Sequence, residues 1–272
     1  MVDVRSSRHE VDEGLELDGE AGEQGVGLLV SRRDGAELLD QPGLLPEDVA
    51  ANLADLELVN RRLGGGQAVL AHVGPALAAV PAPATARVLD IACGAGDVLR
   101  SLAQRTRSEG RAMLGVGVDL NPLVIAYARA RAADLPELLW VRANALRLPF
   151  APRSFDLVIC STFLHHLSPE NAVALLEQAR KLSRGWLIAA DLGRSRMARL
   201  GFPALAWLAG FHPVTRYDGG VSLRRAYTPR ELAELARAAG LTNWRVHGHR
   251  FSRMTLVCGP DGGSDCRSSS PF

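Results

Sequence analysis

The chain predicts an α/β fold: a mostly parallel sheet with helices on both faces. Three observations predict it. Short apolar runs alternate with helix-like segments between residues 87 and 191. Several of these runs are apolar throughout, as strands buried on both faces are. The run Val88-Leu89-Asp90-Ile91-Ala92-Cys93-Gly94-Ala95-Gly96-Asp97 starts as a strand and turns through small residues into a helix.

Each element has its own signal. Pro46-Glu47-Asp48 reads as a helix start, with acids in the first turn. Apolar residues follow at Val49, Leu53, Leu56 and Val59 with helical spacing. Gly64-Gly65-Gly66 breaks that helix, and a second is expected over 68–80 before Pro81 and Pro83. Strand 87–92, helix 97–107 and strand 112–118 come next. Helix 122–133 is opened by Asn121 as cap and Pro122 as first residue. Strand 138–142 and strand 155–160 precede helix 169–182, which Ser168-Pro169-Glu170 opens, and strand 185–191. The alternation then pauses over 193–228, a stretch rich in apolar, aromatic and arginine residues. Thr228-Pro229-Arg230-Glu231 has the form of a capping box, and Gly240 ends its helix. Strands 242–249 and 251–258 close the count at seven, as an antiparallel hairpin through Arg250.

This gives an expected organisation. Residues 1–27 are acidic and glycine-rich, and they and the tail 259–272 are expected to be disordered. Residues 28–84 form a helical cap, and 85–258 the α/β domain with the insertion 193–228 on the substrate side.

Composition excludes several function classes. A hydrophobic fraction of 47% over 272 residues supports a sizeable core. A formal net charge of +1, with no basic tail, speaks against nucleic acid. The four cysteines, Cys93, Cys160, Cys258 and Cys266, include no C-x-x-C pair; a cytoplasmic setting without disulfides or structural zinc is expected. No secretory leader is visible. The longest apolar stretch, 197–214, is interrupted by Arg199, Gly201, Pro203 and Gly210, so no membrane span is expected.

The glycine turn carries the chemistry. Gly94 and Gly96 let main chain approach a ligand closely. Asp119 ends the second strand about twenty residues on, where an acid can accept hydrogen bonds from ribose hydroxyls. A dinucleotide fingerprint would need a glycine where Leu99 stands, and Asp97 would repel a phosphate. Asp90 suits a cationic ligand instead.

The run 88–97 resembles motif I of the class I S-adenosylmethionine-dependent methyltransferases, with Ala92 where a first glycine often stands. Later segments match in order: Phe155-Asp156-Leu157-Val158-Ile159-Cys160 resembles motif IV. Leu164-His165-His166-Leu167 is similar to small-molecule enzymes of the ubiquinone and menaquinone type. The resemblance covers about 85–258 and implies a Rossmann-like fold with S-adenosylmethionine as cofactor. It implies that Asp90 holds the methionine ammonium, that Ala92, Cys93, Gly94 and Gly96 line the methionine side, and that Asp119 holds the ribose. Leu120 is implied against adenine, with Asn144, Ala145 and Ser161 completing the pocket. Asn144 stands where the family usually has aspartate; its amide can both accept from and donate to adenine.

His165 and His166 follow the fourth strand, near where a methyl group would be presented. Either can remove a proton from an acceptor, and His166 is favoured. They lack the i, i+4 spacing of a helical zinc site, so no metal is expected. His212 reads as structural, and a metal at His247 and His249 is disfavoured. Arg224 and Arg225 can meet a carboxylate or remain solvated. Cys160-Ser161-Thr162-Phe163 lacks the Asn/Asp-Pro-Pro-aromatic element of enzymes that methylate nucleobase amines. The acceptor is therefore expected to be a small, partly hydrophobic aromatic, quinone-like or polyketide metabolite, methylated on oxygen or activated carbon. The alternatives are a protein that binds S-adenosylmethionine without transferring methyl and, less favoured, an NAD-dependent oxidoreductase.

Overall fold

The computed structural model describes Arg32, residues 35–41 and residues 43–260. The expected disorder of 1–27 and of most of the tail lies outside the described residues, as does Cys266. The sheet has seven strands in the order β3-β2-β1-β4-β5-β7-β6. These are β1 (Ala86–Ile91), β2 (Met113–Asp119), β3 (Leu138–Arg142), β4 (Phe155–Ser161), β5 (Ser183–Leu192), β6 (Trp244–His249) and β7 (Arg253–Cys258). The first five are parallel; β7 runs antiparallel to both β5 and β6.

Alternate residues of the central strands feed two cores. Leu89, Ile91, Val158, Cys160, Leu187 and Ala189 face α6 (Pro169–Leu182) and α9 (Pro229–Ala238). Val88, Leu157, Ile159, Ile188 and Ala190 face the other way, toward α4 (Asp97–Ser108) and α5 (Pro122–Arg131). Burial on both faces is why these strands read as unbroken apolar runs. The predicted caps form: Asn121 Oδ1 accepts from Leu123 N–H at 2.9 Å, and Ser168 Oγ from Asn171 N–H at 3.3 Å. The Thr228–Glu231 capping box closes in both directions, at 2.8 and 3.2 Å.

The helical cap departs from expectation. Its first helix, α1 (Pro46–Arg62), is as predicted, but the second is two short helices, α2 (Gly65–Leu70) and α3 (Val73–Ala78). Pro75 supplies no N–H to continue α2, and it falls in the first turn of α3, where none is needed. Val69, Val73, Ala76 and Leu77 then pack on the sheet with α4, so 65–80 belongs to a layer of the domain. Only α1 and the preceding segment reach the carboxyl ends of the strands. The insertion also folds, as α7 (Arg196–Leu208) and α8 (Pro213–Arg225). Helix α7 continues through Pro203, while its Met197, Leu200, Trp207 and Leu208 are exposed. Among the described residues, no helix is long and apolar enough to cross a membrane.

Strand order reverses between β1 and β4, and there the chain leaves β1 through the glycine turn. Ala92, Gly94 and Gly96 all take positive φ, at 56°, 52° and 73°. A Cβ on Gly94 would meet nothing within 4 Å, whereas one on Gly96 would lie 2.2 Å from the Trp140 ring. Gly117 makes room for the same indole, with a Cβ there 2.5 Å from it. Gly96 thus seats Trp140 under the turn. Gly96→Ala combines a left-handed alanine with overpacking, and should cost about 2–4 kcal/mol. Chemical denaturation measures this; a loss below roughly 0.5 kcal/mol would mean the indole is not wedged there.

Candidate active site

A cavity of about 730 Å³ opens where the strand order reverses, at the carboxyl ends of β1, β2 and β4. Asp90, Ala92, Cys93, Gly94, Asp119, Leu120, Asn144, Ala145, Ser161, His165 and His166 all line it. Of the residues expected there, only Gly96 does not.

The floor of the cavity is acidic. Asp90 is 1% exposed, and its Oδ1 has no hydrogen-bond partner. Burial, then the nearby carboxylates of Asp97 and Asp119, push its pKa well above the ordinary range. Asp97 is raised by burial too, although Asn60 Nδ2 donates to it at 3.1 Å. Asp119 accepts from Asn121 N–H at 3.0 Å and from Gly94 N–H at 3.4 Å, yet burial still raises it. Three carboxylates with raised pKa values around one cavity favour protonation or a cationic ligand. Beside them Leu120 is 59% exposed, an apolar platform at the rim. Asn144 Oδ1 accepts from Leu146 N–H at 2.8 Å, so part of its acceptor capacity is spent on the turn. Its other lone pair and its NH₂ group remain for a ligand.

Helix α1 roofs this floor. Val49 and Leu53 pack against Ala95 of the glycine turn and Val124 of α5. Glu57 latches the roof, paired with Arg100 of α4 at 2.5 Å and Arg131 of α5 at 3.1 Å. Helix α8 joins from the far side: Asp55 accepts from His212 N–H at 2.7 Å and Thr215 Oγ1 at 2.8 Å. Asp218 accepts from the N–H groups of Leu38 and Leu39, at 2.6 and 3.1 Å. That anchor brings Glu37 and Asp40 into the site.

The two histidines differ. His165 is 1% exposed, and its Nδ1 lies 2.6 Å from Asp191 Oδ1, while its N–H donates to Asp191 Oδ2 at 2.9 Å. Burial alone would lower its pKa; Asp191, then Glu37, outweigh burial and raise it to about 9. His166 is half-buried, its Nδ1 2.8 Å from Asp40 Oδ2 and its ring stacked on Phe163. Arg32 donates to the carbonyls of His165 and Leu167 at 3.1 and 2.5 Å, fixing the turn. Arg225 donates to the carbonyls of Gly35 and His166. It therefore serves the turn, and neither it nor Arg224 lines the cavity. His212 caps α8 near Asp48, and His247 and His249 pack with His72 across the far edge of the sheet.

Several functional residues carry no sequence signal of their own. Glu37 and Asp40 precede the first helix in an unpatterned stretch. Glu57 and Asn60 look like ordinary polar positions of an amphipathic helix. Asp191, at the carboxyl end of β5, could have been found, because that end of a parallel sheet faces ligands.

Residues 88–185 match the family model described as a methyltransferase domain. Over 159 residues the chain is 31% identical to a ubiquinone/menaquinone biosynthesis C-methyltransferase of Xylella fastidiosa, spanning 56% of this chain and 58% of that one. Over 74 residues it is 40% identical to a 2-phytyl-1,4-naphtoquinone methyltransferase of Thermosynechococcus vestitus, spanning 27% of this chain and 32% of that one. The chain thus spans less than two thirds of these relatives' lengths. A crystal structure of a SAM-dependent methyltransferase from Aquifex aeolicus superposes with a TM-score of 0.56 at 16% identity, over 79% of this chain and 98% of that one. Residues 88–185 are thus similar to methyltransferase domains, on a sheet fold shared with that solved methyltransferase.

A carboxyl whose native pKa exceeds its unfolded value loses stability as pH rises from the unfolded pKa, about 3.9, through the native one. Asp90→Asn removes that loss. It should stabilise the ligand-free protein by about 1–3 kcal/mol at pH 8, and by much less near pH 4. Thermal melts at the two pH values check this; equal effects would show that Asp90 is not strained by its charge.

Proposed function

We propose that this chain transfers the methyl group of S-adenosylmethionine to an oxygen or activated carbon of a small, partly hydrophobic metabolite, of aromatic, quinone-like or polyketide type. The observation that carries the proposal is the buried carboxyl of Asp90, its Oδ1 without a hydrogen-bond partner, beside Asp97 and Asp119 in a cavity at the strand-order reversal. The named relatives act on quinone-type molecules, which supports the acceptor class.

The cofactor supplies an electrophilic methyl group on a sulfonium. The residues of this chain bind, align and exclude water. Asp90 holds the ammonium end, Asp119 the ribose hydroxyls, and Leu120 one face of adenine, with Asn144, Ala145 and Ser161 around them. Helix α1, latched by Glu57, keeps water from the reacting centre. The acceptor approaches from the side of Phe163 and His166. Both histidines line the cavity, and His166 is the less buried of the two. Its Nδ1–H donates to Asp40, which leaves Nε2 as the base that takes the acceptor's proton. His165 is sealed and positions the turn.

Two measurements test this reading. S-adenosylhomocysteine should raise the melting temperature while NAD leaves it unchanged; the reverse would overturn the cofactor assignment. With a hydroxylated naphthoquinone or aromatic polyketide as acceptor, His166→Gln should lower kcat by roughly 10² or more, with S-adenosylhomocysteine affinity unchanged. An unaltered kcat would remove His166 from the chemistry.

A further inference from the structure

We propose that Glu37, His165 and His166 form a divalent transition-metal site, of the kind that takes zinc, on the acceptor side of the cavity. One carboxylate oxygen of Glu37 and one ring nitrogen of each histidine lie within 4.8 Å of one another. Glu37 Oε1 is 3.6 Å from His165 Nε2, and Glu37 Oε2 is 3.6 Å from His166 Nε2. These separations exceed an ordinary N–H···O hydrogen bond. They are close to the roughly 3.4 Å that separates two ligands bound at about 2.1 Å to one tetrahedral metal.

The surroundings fix both rings for ligation. Each Nδ1 is held by a carboxylate, His165 by Asp191 at 2.6 Å and His166 by Asp40 at 2.8 Å. This carboxylate–histidine pairing sets the tautomer in which Nε2 carries a lone pair, and it recurs around zinc. Ser222 Oγ donates to Glu37 Oε1 at 2.7 Å, so the third donor is held as well. The carboxylates of Glu37, Asp40 and Asp191 carry three negative charges; the guanidinium of Arg225, on the outer side, binds the carbonyl of His166. One divalent ion replaces the positive charge that two ring protons would supply, and those protons leave to solvent on binding.

The donor set is two histidines and one glutamate, three protein ligands with a position left open. All three residues line the cavity. The open position therefore takes an oxygen, from water or from an acceptor bearing a hydroxyl or enol. This consequence for the acceptor rests on the methyltransferase reading; metal binding itself does not. The adjacent-histidine spacing argued against a metal because the third ligand comes from Glu37, 128 residues away in sequence. With metal bound, His166 acts as ligand rather than base.

The test uses the full chain, stripped with a chelator and titrated with cobalt(II), a spectroscopic stand-in for zinc. Each protein is also titrated with S-adenosylhomocysteine. The inference predicts one equivalent of cobalt with the visible absorption of a four- or five-coordinate centre, displaced by zinc. Glu37→Gln and His166→Asn should each weaken cobalt binding at least 10-fold, and Asp191→Asn 10–100-fold. All should keep their S-adenosylhomocysteine affinity. Cobalt uptake that is absent, or unchanged in both ligand variants, overturns the metal site, and S-adenosylhomocysteine binding then leaves the methyltransferase reading standing. Metal binding without S-adenosylhomocysteine binding supports the site and counts against that reading instead.

Discussion

The site depends on one electrostatic constraint: three carboxylates, each pushed up in pKa by burial, converge on one cavity. Asp90 sits at the end of β1, Asp97 opens α4 and Asp119 ends β2. Among the described residues, Asp90 Oδ1 has no hydrogen-bond partner. Sequences selected for stability alone do not leave a buried carboxyl unpartnered. The free energy stored there is released when a positively charged ligand arrives.

The rest of the architecture serves that floor. Reversal of strand order after β1 opens the space, and the left-handed turn at Ala92, Gly94 and Gly96 keeps backbone low enough to leave it empty. Trp140, wedged against Gly96 and Gly117, supports the turn from below. Helix α1 closes the top through Glu57, whose carboxylate takes both Arg100 and Arg131. Helix α8 and the segment around Glu37 close the side on which His165 and His166 lie. The acidic floor thus rests on sheet and helix termini, while the side carrying His165 and His166 is closed by appended segments.

That division explains what could be read from the sequence. Strands, caps and the glycine turn are local, and they were legible because period, capping residues and glycine placement are local signals. Asp90 and Asp119 were legible because the ends of parallel strands face ligands. The helices of 193–228 were missed because Gly201, Pro203 and Gly210 punctuate a stretch that tertiary packing nonetheless holds helical. That Gly96 also makes room for Trp140 is not legible in the sequence, since only the fold brings the indole beneath it. The environments of His165 and His166 were invisible for a similar reason. Asp191, Asp40 and Glu37 reach them from 26 to 129 residues away, and no pattern in the chain announces that convergence.

The central claim is that charge on the ligand, met by Asp90 and its neighbours, drives binding. Calorimetry comparing S-adenosylhomocysteine with methylthioadenosine, which keeps the adenosyl thioether but lacks the amino acid, tests it most directly. The account predicts at least 10-fold weaker binding of the second compound, with proton release on binding the first as the ammonium draws the raised Asp90 pKa down. Equal affinities, with no proton release for either compound, would contradict it.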